Sequence, residues 1–181
     1  AVTFIYLKWN GSVNVNETNP TANDVIIYIK DATSVYGEPL VEDYDFEFEI
    51  LSDITISKNE LKSKMILIKE EGTEVGTYDI TGISNLEGIT AEIVPGIYTI
   101  TRASYDMSNV QFNDVTVNYD GKDHFVEISG KLPEGVTVDY VNNEGNEAGT
   151  YIAKALFNGD ERNYYPITEM TATLKILHTS T

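Results

Sequence analysis

The chain has 181 residues, 41% of them hydrophobic, and 12 Lys and Arg against 29 Asp and Glu leave a net charge of −17. That length suits one large all-β domain or two small ones, and the apolar share argues for packed cores rather than disorder. The charge repels nucleic acid and anionic membrane, and the lack of cysteine excludes disulfides, thiolate catalysis and cysteine-held metal centres.

The chain starts at Ala1 without a methionine or a signal peptide, which reads as a fragment of something longer. No stretch approaches the roughly 18 apolar residues of a membrane span. In residues 1–23, Val2 to Leu7 has a strand pattern, Asn10-Gly11 is a turn and Asn14 to Asn23 is polar. This predicts an extra N-terminal hairpin or strand. Further on, Phe46-Glu47-Phe48-Glu49-Ile50 alternates apolar and acidic residues, the period of a half-buried strand. Asn59 to Met65 reads as one helical turn leading into a strand from Met65 to Lys69. Tyr78 to Thr81 alternates again, and a last strand runs from Gly96 to Ala103.

No Gly/Ser-rich or Pro-rich linker stands at Arg102-Ala103-Ser104-Tyr105, so one module feeds almost directly into the next and the hinge is restricted. Beyond it, Tyr119-Asp120-Gly121-Lys122 predicts a type I′ hairpin. Leu132-Pro133-Glu134-Gly135 predicts a turn with Gly at its exit. Val136 to Tyr140 and Met170 to Ile176 alternate, while Asn142 to Gly145 and Asn158-Gly159-Asp160 mark loops. Short strands with regular turns point to antiparallel sandwiches.

Glu74-Val75-Gly76-Thr77-Tyr78 recurs as Glu147-Ala148-Gly149-Thr150-Tyr151, with a Tyr upstream in each half, Tyr36 and Tyr119. Repetition at this scale implies two copies of one module, at residues 24–103 and 104–181. Gly76 and Gly149 are expected just before a strand, where a bend or close backbone approach needs no Cβ. Tyr78 and Tyr151 are expected to pack inward with the hydroxyl on a backbone group, as in the tyrosine corner of Ig-like sandwiches.

The phrases resemble the MBG-type repeats of bacterial surface proteins. In the first half they are Ser34-Val35-Tyr36-Gly37-Glu38-Pro39-Leu40, Glu71 to Gly82, and Gly96 to Thr101. In the second they are Val117 to His124, Leu132 to Val138, Ala148 to Tyr151, and Met170 to Leu174. The resemblance covers about residues 24–178, and departs from the usual pattern at Asn85-Leu86-Glu87-Gly88-Ile89, before the penultimate strand. It implies an extracellular Ig-like module on a Gram-positive cell surface, often in adhesin arrays, with no catalytic residues and no cofactor.

The chemistry-bearing residues agree with a non-enzyme. His124, beside Asp123 and read as solvent-facing, and His178, near the end, are the only histidines, and nothing in the order of residues supplies partners for a triad. Glu42, Asp43 and Asp45 are the densest acidic cluster and a weak calcium candidate, although no Asp-x-Asp-x-Asp-Gly loop exists. Lys30 and Lys154 lie in strands on the outer face, which disfavours an isopeptide bond. Tyr164, Tyr165 and Trp9, with Tyr105, are candidate ligand-binding rings; the alternative is that these rings pack under a loop or between modules. The reading is a monomeric, non-catalytic stalk or spacer without direct membrane or nucleic-acid contact. The alternatives are a module binding a host glycan or protein, and an accessory region of a larger surface enzyme.

Overall fold

The structure, a computed structural model, describes residues 22–178; residues 1–21, with Trp9 and almost all of the expected N-terminal hairpin, and residues 179–181 lie outside it. The alternating segments form β1 (Val25–Ile29), β2 (Ala32–Val35), β3 (Phe46–Ile50), α1 (Lys58–Ser63), β4 (Met65–Lys69), β5 (Gly76–Ser84), β6 (Ala91–Val94) and β7 (Gly96–Thr101). The second half forms β8 (Val115–Asn118), β9 (His124–Phe125), β10 (Thr137–Val141), β11 (Glu144–Gly145), β12 (Gly149–Asn158) and β13 (Met170–Leu177). The chain is two tandem Ig-like β-sandwich modules.

In the first module, a sheet in the order β3-β1-β6 faces a sheet in the order β2-β7-β5-β4. Period-two alternation does the work. Val25 and Ile27 point inward from β1 against Phe46 and Leu61, while Ile29 joins Ile80, Tyr98 and Ile100. The single helical turn exists because Ser57 and Glu60 form a reciprocal capping box, and because Leu61 is buried. In the second module the sheet β10-β12-β13-β8 carries Ala153, Ala172, Leu174 and Ile176, which pack on Val126. The short β9–β11 pair and the Gln111–Ser129 bridge complete it.

The four-stranded sheets repeat strand for strand. In both, the first and last strands of the sequence pair in parallel and the other pairs are antiparallel. The echoed glycines hold one register position, Gly76 opposite Ile100 and Gly149 opposite Ile176. The upstream tyrosines match as well, since Tyr36 N–H donates to Thr101 O and Tyr119 N–H to Leu177 O, each at 2.8 Å.

One turn differs from expectation. Asp120-Gly121 does not make a hairpin, because β8 pairs with β13 and β9 with β11, so the segment crosses between sheets. Gly121 has φ +75°, but Asp120 lacks the positive φ of a type I′ turn, and its carboxylate instead accepts Lys122 N–H at 3.1 Å. The Pro133 turn closes as expected by Val136 N–H to Pro133 O at 3.2 Å, with Gly135 at φ +75°. Asn85 to Ile89 lead from β5 into β6, which pairs in parallel with β1.

Candidate functional site

The repeated phrase builds the same corner twice. Tyr78 Oη donates to Glu74 O at 2.7 Å, and Tyr151 Oη donates to Glu147 O at 3.0 Å. Each ring packs half-buried on its module's core. The glycines that make room for the rings are Gly72 and Gly145, six residues before each tyrosine; a Cβ on either would run into the ring. A Cβ on Gly76 or Gly149 would have its nearest neighbour, a tyrosine ring atom, at 3.9 and 3.8 Å, ordinary contact, so of the two expected reasons for glycine there the close backbone approach is absent. The true echo is longer than the phrase suggests: Glu71-Gly72 and Glu144-Gly145 belong to it. In the first corner Lys69 Nζ also sits 4.0 Å from the Tyr78 ring centroid.

The first corner is occupied by the second module. Asn163, 3% exposed, is the one buried polar residue of the described core. Its Oδ1 accepts Val75 N–H at 2.9 Å, and its Nδ2 donates to Glu74 Oε2 at 2.6 Å and Asp160 Oδ2 at 2.8 Å. Both amide hydrogens and the carbonyl are thus satisfied, which a buried carboxamide requires. Backbone bonds close the same clasp: Ala103 N–H to Asn163 O at 3.0 Å and Tyr165 N–H to Ala103 O at 2.9 Å. Arg162 Nε stands 3.5 Å from Glu74 Oε2.

Beside the clasp, Tyr164 stacks on Tyr105 with centroids 4.0 Å apart and meets the edge of Tyr36 at 5.5 Å. Asp160 N–H donates to Tyr105 Oη at 2.8 Å. The electrostatics follow from this packing. Burial first, then the Glu74 and Asp160 carboxylates, hold the Tyr36 phenol above its ordinary range. The Asn163 side chain, then backbone N–H groups, hold Asp160 below the ordinary carboxylate range.

The sequence candidates are distributed as follows. Tyr164 stacks on Tyr105 and meets Tyr36 of the first module, so both rings pack at the junction of the modules. Tyr165 is 54% exposed and borders a small hollow with Pro166 and Gly159. Trp9 lies outside the described residues. Asp43 pairs with Lys62 at 3.1 Å, and Asp45 with Lys58 at 2.7 Å and Lys30 at 3.0 Å. Lys58, then Lys30, hold the Asp45 carboxyl well below its usual range. Glu42, Asp43 and Asp45 do not converge, and among the described residues no group of three His, Cys, Asp or Glu stands close enough to hold a metal ion.

His124 is a correction: it is not solvent-facing but one-fifth exposed, and it has a partner, Asp120 at 2.8 Å, brought round by the crossover turn. His178 is exposed. Lys30 follows β1 and Lys154 sits in β12, where it pairs with Glu169 at 2.7 Å.

No family model and no curated protein matches the chain. Among solved structures it is similar to the fibronectin(III)-like modules of Clostridium thermocellum CbhA, 12% identical, covering 84% of this chain and 94% of that one with a TM-score of 0.29. It is also similar to Drosophila N-cadherin EC1-4, 8% identical with a TM-score of 0.26, covering 87% of this chain and 51% of that one. These scores are too low to carry an argument; the sandwich assignment rests on the sheets themselves.

Proposed function

We propose that the chain is a non-catalytic, extracellular spacer of two Ig-like modules, residues 24–103 and 104–181, in a bacterial surface protein. The observation that carries this reading is the direction of the chain through its clasp. In the first module the chain enters at Ala22, whose carbonyl accepts Thr90 Oγ1 at 3.2 Å, at the end of the module where β5 finishes. It leaves from the end where β5 begins, at the corner that Asn163 fills. In the second module Asn163 follows β12, and the second corner precedes it. Ten strand residues, about 33 Å, separate the two. Each module therefore has its two junction ends at opposite poles, and at the one junction described a buried carboxamide fixes the angle between the modules. That is what a semi-rigid rod needs.

The MBG-type and Gram-positive assignments belong to this proposal and come from the sequence phrases. Among the described residues no helix is long and apolar enough to cross a membrane. Small-angle X-ray scattering of the chain tests the reading. An elongated particle with one well-defined maximum dimension supports it, and a compact profile with the modules side by side overturns it.

A further inference from the structure

Among the described residues, the second corner is the first one without its occupant. The sheet registers and the paired Tyr36 and Tyr119 bonds superimpose the two module ends residue by residue: Glu74 on Glu147, Val75 on Ala148, Tyr36 on Tyr119, Arg102 on His178. At the first end these groups surround Asn163 and Tyr164. At the second, Tyr119, Glu147, Ala148 and His178 line one open hollow, and Tyr119 is 38% exposed. Tyr151 holds the Glu147 carbonyl from behind just as Tyr78 holds that of Glu74, so the corner is already shaped.

We propose that the Glu147–Ala148 corner is a docking surface for a following module of the same chain, which must present a buried Asn carboxamide beside a Tyr ring. The carboxamide oxygen would take the Ala148 N–H and its Nδ2 the Glu147 carboxylate, while the ring would pack on Tyr119. The chemistry excludes an anion as the occupant, because Glu147 repels it, and a purely apolar segment, because it would leave the Ala148 amide unpaired. His178, in the place of Arg102, leaves a donor at the rim. This deepens the spacer reading, which supplies the repeat logic.

The test is a three-module chain in which residue 178 is followed by a second copy of residues 103–178. Amide hydrogen exchange is read at Ala148, with Val75 as the internal standard. Docking slows Ala148 at least about tenfold relative to the native chain, and Asn163→Ala in the added copy alone returns it to the native rate. Exchange at Ala148 that stays fast while Val75 is protected overturns the proposal and leaves the spacer reading standing. A fast Val75 in the native chain instead defeats the spacer reading. Protection of Ala148 in the native chain that grows with protein concentration assigns the surface to a second copy and also overturns the proposal. A separate arm needs no added module. Glu147→Ala in the native chain should leave the melting temperature unchanged, as a vacant acceptor requires; a loss of stability marks Glu147 as structural and contradicts the docking role.

Discussion

The two corners share a backbone, a tyrosine and a glycine, yet among the described residues only the first has a buried polar partner. Glu74 and Val75 are capped by Asn163, whereas Glu147 and Ala148 border an open hollow. The difference separates two jobs that the repeated phrase does at once. Tyr78 and Tyr151 hold the bend from inside each module. The residues at its outer side present a socket of a carboxylate and a backbone N–H, which at the first corner Asn163 fills.

Substitutions can break this comparison, beginning with the socket. Asn163→Ala should be the most damaging, because it removes the one buried polar side chain of the described core and with it the partner of the Val75 amide and of both carboxylates. We expect a loss of about 2–3 kcal/mol of junction stability, read as loss of the shared cooperative melt in calorimetry. Each module should keep its own transition. Next come the glycines beneath the rings. Gly72→Ala and Gly145→Ala should each cost about 1–3 kcal/mol by overpacking, while Gly76→Ala and Gly149→Ala should cost much less, in denaturant titrations. Equal costs at all four positions would mean that the rings do not dictate where glycine is needed.

A smaller effect separates the hydroxyls. Tyr78→Phe and Tyr151→Phe each remove one hydrogen bond worth about 1 kcal/mol. Only the first should also loosen the junction, since the Glu74 corner carries it. The smallest effect is that of pH. Asp160 has a lowered folded pKa, so its contribution is present above the ordinary carboxylate range and is lost as pH falls through the folded value. Tyr36 has a raised folded pKa, so its contribution is full below the ordinary tyrosine range and is lost as pH rises through the folded value. Scattering profiles should therefore coincide between about pH 5 and pH 9 and change only outside that window.

Much of the fold was legible because it depends on local period. Phe46 to Ile50 and Met170 to Ile176 alternate cleanly, and Asn59 to Met65 is too short for more than a turn, so the strands and the single helical turn follow from the residues. Asp120-Gly121 misled because a hairpin needs its flanking strands to pair with each other, and pairing is decided by the sheet, not by the turn. The corner was half legible: the echoed Glu, Gly and Tyr were visible, but the glycines that matter lay just upstream. Asn163 was not legible at all. Within Asp160-Glu161-Arg162-Asn163 it looks like part of a solvated loop, and its burial comes from the first module, whose Val75 lies 88 residues away in sequence. The signal lay in the aromatic neighbour: Tyr164 beside a polar run, in a chain whose other half offers Tyr36.

Residual dipolar couplings measured on both modules test the central claim most directly, that Asn163 locks the first socket into one geometry. The account predicts that a single alignment tensor fits residues 24–178 of the native chain and that Asn163→Ala requires two. Two distinct tensors in the native chain would contradict it.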